Sequence, residues 1–444
     1  MPWKKEKDQD SSDLEETDTE DSSKKTRKNP NITLWSQVRA VFGSWINLLL
    51  VFVPAGIALH FSGVNRVVVF VINFIAIIPL AGMLAYATEE LALYIGEVLG
   101  GLLNASFGNA VELIVGVIAL AQGKILIVKT SLIGSMLSNL LLVLGMCFFF
   151  GGLRRVEQFF NVTVAQTAAS LLALATGSLI IPTAFKMFAS NDSGVAPSSR
   201  GTAVLLLVTY ACYLYFQLST HSEMYNAPSA KSPKKPSGRK SEGDAKRAFA
   251  TIGGRSAGTS GGQVNQENLV HDEEKDDGEI PQLTRLGALI TLAGTTVLVA
   301  LCAEFMVSAI DAVAGSVSPE FIGLILLPIV GNAAEHATAV TVAIKDKMDL
   351  AIGVAVGSSL QIALLVLPLM VMLSWWGVGA GKSPEPMTLS FDGFQIIVLF
   401  VAVIVVNYLI QDGKSHWLEG VMLQITYLII ALSAWFYPVS AELA

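Results

Sequence analysis

The chain is poor in cysteine. Cys147, Cys212 and Cys302 each lie inside an apolar run, so no pair has metal-ligand spacing and no disulfide framework is implied. Charge is scarce too: Asp, Glu, Lys and Arg make up 15% of the 444 residues. Much of it sits in the first 43 residues and in 222–285. Between Ser44 and Thr220 the only acids are Glu89, Glu90, Glu97, Glu112, Glu157 and Asp192. The net charge of −7 therefore belongs to tails and a loop, not to a nucleic-acid-binding surface. The N-terminus is largely polar for over 40 residues, so no cleavable signal peptide is expected. There is no His-Glu-x-x-His pair and no clear nucleophile with a base, so an intramembrane enzyme ranks last.

What is abundant is apolar sequence. Hydrophobic residues are 52% of the chain and mean hydropathy is +0.58. Runs of about 20 apolar residues can cross the hydrocarbon core as helices. Eleven are read, near 44–61, 66–88, 98–120, 125–150, 162–188, 202–220, 284–314, 320–344, 349–375, 392–410 and 417–437. The fold class is therefore an all-α polytopic membrane protein. Residues 1–43, acidic and Ser/Thr-rich and then basic, are expected to be a disordered cytosolic tail. Residues 44–61 are a first transmembrane helix. Residues 66–220 and 284–437 are two five-helix units, and 221–283 is a cytosolic linker, rich in Pro, Ser, Gly and Lys before it turns acidic. Residues 438–444 are a short tail.

The two units are copies. Gly108-Asn109-Ala110-Val111-Glu112 recurs as Gly331-Asn332-Ala333-Ala334-Glu335, and Gly134-Ser135-Met136-Leu137 as Gly357-Ser358-Ser359-Leu360, both displaced by 223 positions. Chance supplies matching Leu and Val in membrane helices, but not Asn and Glu in register. Five helices per copy is an odd number, so the copies are expected to lie upside down to each other. Inverted repeats build many secondary transporters, with the site at their interface near the midplane. The distribution of Lys and Arg favours a cytosolic N-terminus, and eleven spans then put the C-terminus in the lumen.

Glu112 and Glu335 fall near the middle of apolar spans, where an acid costs about 2.5–3.5 kcal/mol on insertion scales. Neither span offers Lys or Arg at that depth. Two facing carboxylates without a counter-charge cannot both ionise freely; a divalent cation resolves this, and so do protons. Asn109 and Asn332 share a helix face with these glutamates. Ser135, Ser138 and Asn139 line one face of the fourth span, Ser358 and Gln361 one face of the ninth. Gly108 and Gly331 would let the helix unwind and offer backbone carbonyls. Such oxygens suit a hard cation such as calcium, and the lack of thiolate argues against copper or structural zinc.

Several residues stay open between two roles. Ser138 and Asn139 could simply make interhelical hydrogen bonds. His336 could modulate protons or metal, or only pack. Glu304 and Asp311 could line a path or be structural, while Glu89 and Glu90 read as ordinary exposed charge. The acidic block Glu273, Glu274, Asp276, Asp277 and Glu279 could recruit cytosolic cations or be merely solvated. Asn191-Asp192-Ser193 matches a weak glycosylation signal.

At these motifs, with Ser138-Asn139-Leu140-Leu141-Leu142-Val143-Leu144-Gly145 and Gly357-Ser358-Ser359-Leu360-Gln361-Ile362, the chain resembles the cation/proton exchanger family of the calcium/cation antiporter superfamily, most of all the fungal vacuolar members. The likeness covers roughly 35–440. It implies that Glu112 and Glu335 are alternating cation and proton sites. Asn109, Asn332, Ser135, Ser358 and Gln361 would help coordinate or conduct the ion. It also implies calcium uptake into a vacuole against protons, manganese being a possible second substrate, and a recruiting or regulatory role for the acidic segment. The expected function is antiport of cytosolic calcium for luminal protons in the vacuolar membrane, with no cofactor. The alternatives are a manganese or sodium-coupled exchanger and a calcium-selective channel. Oligomeric state is not legible.

Overall fold

A computed structural model describes residues 32–95, 97–189, 192–226, 231–233, 281–315 and 317–438. The acidic block and Asn191 lie outside the described residues. The helices used below are α1 (Leu34–Phe42), α2 (Trp45–Phe61), α3 (Arg66–Ile95), α4 (Glu97–Phe107), α5 (Ala110–Ala121), α6 (Ile125–Gly152), α7 (Val162–Phe188), α8 (Val195–Thr220), α9 (Arg285–Ser308), α10 (Pro319–Gly331), α11 (Ala333–Ile344), α12 (Met348–Trp375), α13 (Gly393–Leu409) and α14 (Trp417–Trp435). A two-residue antiparallel ladder, β1 (Gln158–Phe159) with β2 (Lys414–Ser415), joins two of the connecting turns.

Among the described residues, seven helices are long and apolar enough to cross a membrane, and nine if the bent pairs α1–α2 and α10–α11 each count as one. The runs expected at 98–120 and 392–410 contain the shorter apolar helices α5 and α13. Four expected spans differ in shape, the third being split into α4 and α5 at Gly108–Asn109. The first is preceded by α1, set at 86° to α2. The seventh ends at Ser308 and restarts as a short turn, Ile310–Ala314. The eighth is broken, its halves bent by 60° at Asn332.

The same displacement of 223 reappears in the helix bounds. α5 runs from Ala110 to Ala121 and α11 from Ala333 to Ile344; α6 runs from Ile125 to Gly152 and α12 from Met348 to Trp375. Both long helices also widen at corresponding places, with π-helical turns at Ser138–Val143 and Ile362–Val366. Such turns frequently accompany functional sites.

Burial separates centre from rim. The apolar window of α6 is 83% buried, that of α8 only 22%. Ile181, Leu205, Val208, Ile397 and Ile429 face outward, as lipid-facing side chains would. At the centre, glycine lets backbones meet. A Cβ on Gly134 of α6 would strike the carbonyl oxygen of Leu324 in α10. This is the close approach that small residues permit between membrane helices.

Candidate functional site

The site begins with two interrupted helices. α4 stops at Phe107 and α5 starts at Ala110; α10 stops at Gly331 and α11 starts at Ala333. The interruption puts Glu112 in the first turn of α5 and Glu335 in the first turn of α11. The first turn of a helix has unpaired N–H groups and the positive end of the dipole, so negative side chains are well tolerated there.

The two motifs meet crosswise. A Cβ on Gly331 would lie 2.7 Å from Glu112 Oε1, and one on Gly108 would lie 3.9 Å from Glu335 Oε1 and 3.7 Å from Gln361 Oε1. Each motif's glycine is therefore the wall against which the other motif's glutamate rests. At Gly331 the missing side chain leaves room for a carboxylate, whereas at Gly108 a Cβ would meet the opposite carboxylate only at ordinary contact distance. Asn109 Nδ2 donates to Gln361 Oε1, tying the first break to the end of the α-helical part of α12. Ser358 Oγ donates to Glu335 Oε2 at 2.9 Å.

Several polar atoms remain unused. Glu112 Oε1, Asn109 Oδ1 and both amide atoms of Asn332 are buried without a hydrogen-bond partner. Buried polar atoms are nearly always satisfied, so such a group needs an explanation, and an ion is one. Beside Glu112 is a cavity of about 20 Å³, lined by Ser131, Ser135, Gly331 and apolar side chains from α3, α9 and α10. That is room for one water-sized occupant. Among the described residues, no Lys, Arg or His pairs with either glutamate, and no three of His, Cys, Asp and Glu come together. A cation held here would be held by two carboxylates with amide and hydroxyl oxygens, a donor set suited to calcium.

The sequence-selected residues Gly108, Asn109, Glu112, Ser135, Gly331, Glu335, Ser358 and Gln361 thus meet in one place through direct contacts or a shared cavity wall. Asn332 stands at the break between α10 and α11. His336 Nε2 lies 3.2 Å from Ser138 Oγ on the π turn of α6, which gives its ring a partner. Asp311 pairs with Lys124 at 2.6 Å, and Glu304 is exposed near the end of α9.

Glu90 is not the ordinary exposed charge expected. It is buried and accepts from Gln282 N and Leu283 N at 2.9 Å each, fixing the approach to α9. One residue beyond the expected set lines the site, and Asn139, left open above between two roles, sits on the π turn of α6. Ser131 lines the Glu112 cavity; Asn139 is fully buried with both amide atoms unpartnered. The spacing Ser131, Ser135, Ser138 was the available signal for the first, a polar stripe at helical intervals. Asn139 has no polar counterpart in the second copy, where Ile362 stands.

The comparisons with known proteins concern nearly the whole chain. The family model "Sodium/calcium exchanger protein" matches residues 65–219 and again 287–436. The vacuolar calcium ion transporter of Cryptococcus neoformans var. grubii is 41% identical over 480 aligned positions, covering 94% of this chain and 77% of that one. The vacuolar calcium ion transporter of Schizosaccharomyces pombe is 42% identical, covering 90% and 86%. The crystal structure of the selenium-substituted Ca2+/H+ antiporter YfkE superposes with a TM-score of 0.65 at 32% identity, covering 88% of this chain and 99% of that one.

Proposed function

Since the chain belongs to the sodium/calcium exchanger protein family, we propose that it is a secondary antiporter of the vacuolar membrane, exchanging cytosolic Ca2+ for luminal H+ by alternating access. It is a transporter, not an enzyme, and its relatives are vacuolar calcium transporters and Ca2+/H+ antiporters. The observation that carries the reading is the crosswise pair, with Glu112 against Gly331 and Glu335 against Gly108.

Two units of one architecture, each matched by the same family model and each broken at its glutamate, support inverted repeats with the ion at their interface. Ionised Glu112 and Glu335 bind calcium with the help of Asn109, Asn332, Ser135, Ser358 and Gln361. The units rock, the site opens to an acidic lumen, and protons displace the ion. Calcium and protons compete for the same oxygens, so each stabilises a different occupied state, which is what coupling requires.

The test is calcium uptake into proteoliposomes of the purified protein under an acid-inside gradient with the membrane potential clamped. Wild-type uptake should collapse with a protonophore, and Glu112→Gln and Glu335→Gln should each lower it at least about 100-fold, comparable to the loss of a charged ligand worth about 3 kcal/mol. Uptake indifferent to the gradient would mean a channel. Uptake surviving both substitutions would put the site elsewhere.

A further inference from the structure

We propose that Ser232, in the linker between the two units, is a phosphorylation site, and that its phosphorylation releases the linker from a clamp built by both units. The clamp is centred on Asp346, in the turn between α11 and α12. Asp346 Oδ1 accepts from Gln158 Nε2 at 2.9 Å and stands 3.2 Å from Arg155 Nε. Its backbone has a positive φ of 65°, a conformation rarely adopted outside glycine, Asn and Asp. Arg155 Nη1 and Gln158 Nε2 donate to the carbonyls of Ile344 and Ala343. The turn after α6 is thereby bolted to the C-terminal end of α11, the helix whose first turn carries Glu335.

Ser232 occupies the remaining place. Its N–H donates to Asp346 Oδ2 at 2.6 Å, and its Oγ accepts from Phe159 N at 3.2 Å. The residue is 8% exposed. One linker residue thus bonds to the second unit through its backbone and to the first through its side chain. Lys and Arg at this face, including Arg154, Arg155, Lys345, Lys347 and Lys414, put it on the cytosolic side by the positive-inside bias.

The sequence at this point is Lys231-Ser232-Pro233-Lys234-Lys235. A serine followed by proline, with a basic residue at the third position, is what proline-directed kinases select. When the linker leaves the clamp transiently, Ser232 Oγ attacks the γ-phosphorus of ATP; the bond to ADP breaks and the hydroxyl proton passes to the kinase's base. The product carries a charge near −2. Its return is opposed: its own backbone N–H would seat it against the Asp346 carboxylate, Arg155 is already engaged by that carboxylate and the Ile344 carbonyl, and a dianion would have to be buried where a hydroxyl was. The modified linker stays out, which is a population shift toward the released state. A tie across two units that must move opposes the movement, so its loss speeds exchange; this last clause rests on the exchanger reading.

The experiment treats the full-length purified protein with a proline-directed kinase and ATP, beside Ser232→Ala. Phosphate is located by peptide mass spectrometry, and hydrogen exchange is followed in the peptides carrying the Phe159 and Ser232 amides. We expect phosphate on Ser232, at least tenfold faster exchange of both amides, and initial calcium uptake at least twofold faster; Ser232→Ala should respond in none of these. Phosphate only on other serines, or phosphate on Ser232 with both amides still protected, overturns the proposal. Uptake unchanged or slowed with the amides released overturns the speeding clause. Absence of proton-coupled uptake before and after treatment would count against the exchanger reading, while the mass and amide readouts still decide the latch.

Discussion

At the scale of single residues the two glutamates are chemically alike and differently supported. Glu335 has a hydroxyl donor in Ser358, whereas Glu112 Oε1 has no partner and borders the cavity. The glycines opposite them divide the same way. A methyl at Gly331 would press on Glu112 Oε1 at 2.7 Å, while at Gly108 the carboxylate lies 3.9 Å away and the nearer neighbour is the backbone oxygen of Asn104 at 3.0 Å. Gly331→Ala should therefore displace the Glu112 carboxylate, the movable end of a side chain, without unfolding the protein. The expected outcome is a rise of about tenfold in the calcium concentration for half-maximal uptake, with unchanged yield and monodispersity in detergent. That corresponds to about 1.4 kcal/mol, within the range for partial loss of a charged contact. Wild-type affinity in Gly331→Ala would show that the carboxylate does not need that position.

At the scale of elements, helix crossings are set by glycine where backbones touch. The Cβ of an alanine at Gly134 would strike a main-chain oxygen of α10, and one at Gly323 would strike Thr130 Oγ1. Backbone cannot step aside as a side chain can. Gly134→Ala is expected to cost about 1–3 kcal/mol by overpacking and to lower the thermal midpoint in detergent. An unchanged midpoint would mean that α6 and α10 separate freely. This crossing also marks what was legible in the sequence. Gly134, Glu112 and their copies Gly357 and Glu335 stood out because polar and small residues interrupt apolar helices and recur at one spacing. The breaks after Gly108 and Gly331 were signalled by the glycines themselves. Glu90 and Asp346 were not legible, because what decides their role is chain arriving from Gln282 and Ser232, far away in sequence. A carboxylate beside a basic turn looks solvated until tertiary structure supplies N–H groups to it. Ser131 and Asn139 were under-read for a related reason: a serine or asparagine in a buried helix gives no sign of whether its face meets a neighbour's polar atoms or a cavity.

At the scale of the whole molecule, the coupling proposed above would follow from how few charges surround the two glutamates. Among the described residues no cationic side chain pairs with Glu112 or Glu335, so nothing fixed compensates both carboxylates at once. The mobile ions must do it, as one divalent cation or as protons. The sign of the pH effect follows. On the proposed mechanism protons bind the same oxygens that hold calcium, so acidifying the loading side weakens calcium binding there. Acidifying the releasing side must speed discharge. The limit is about tenfold in apparent affinity per pH unit for each proton displaced. Measured in proteoliposomes with the potential clamped, lowering the external pH by one unit at fixed internal pH should raise the calcium concentration for half-maximal uptake. Lowering the internal pH at fixed external pH should raise the maximal rate. In Glu335→Gln one carboxylate has lost its capacity to titrate, so the calcium dependence of residual uptake should become shallower in pH. If external acid left the half-maximal concentration unchanged, protons and calcium would have separate sites, and the crosswise pair would not be where exchange is coupled.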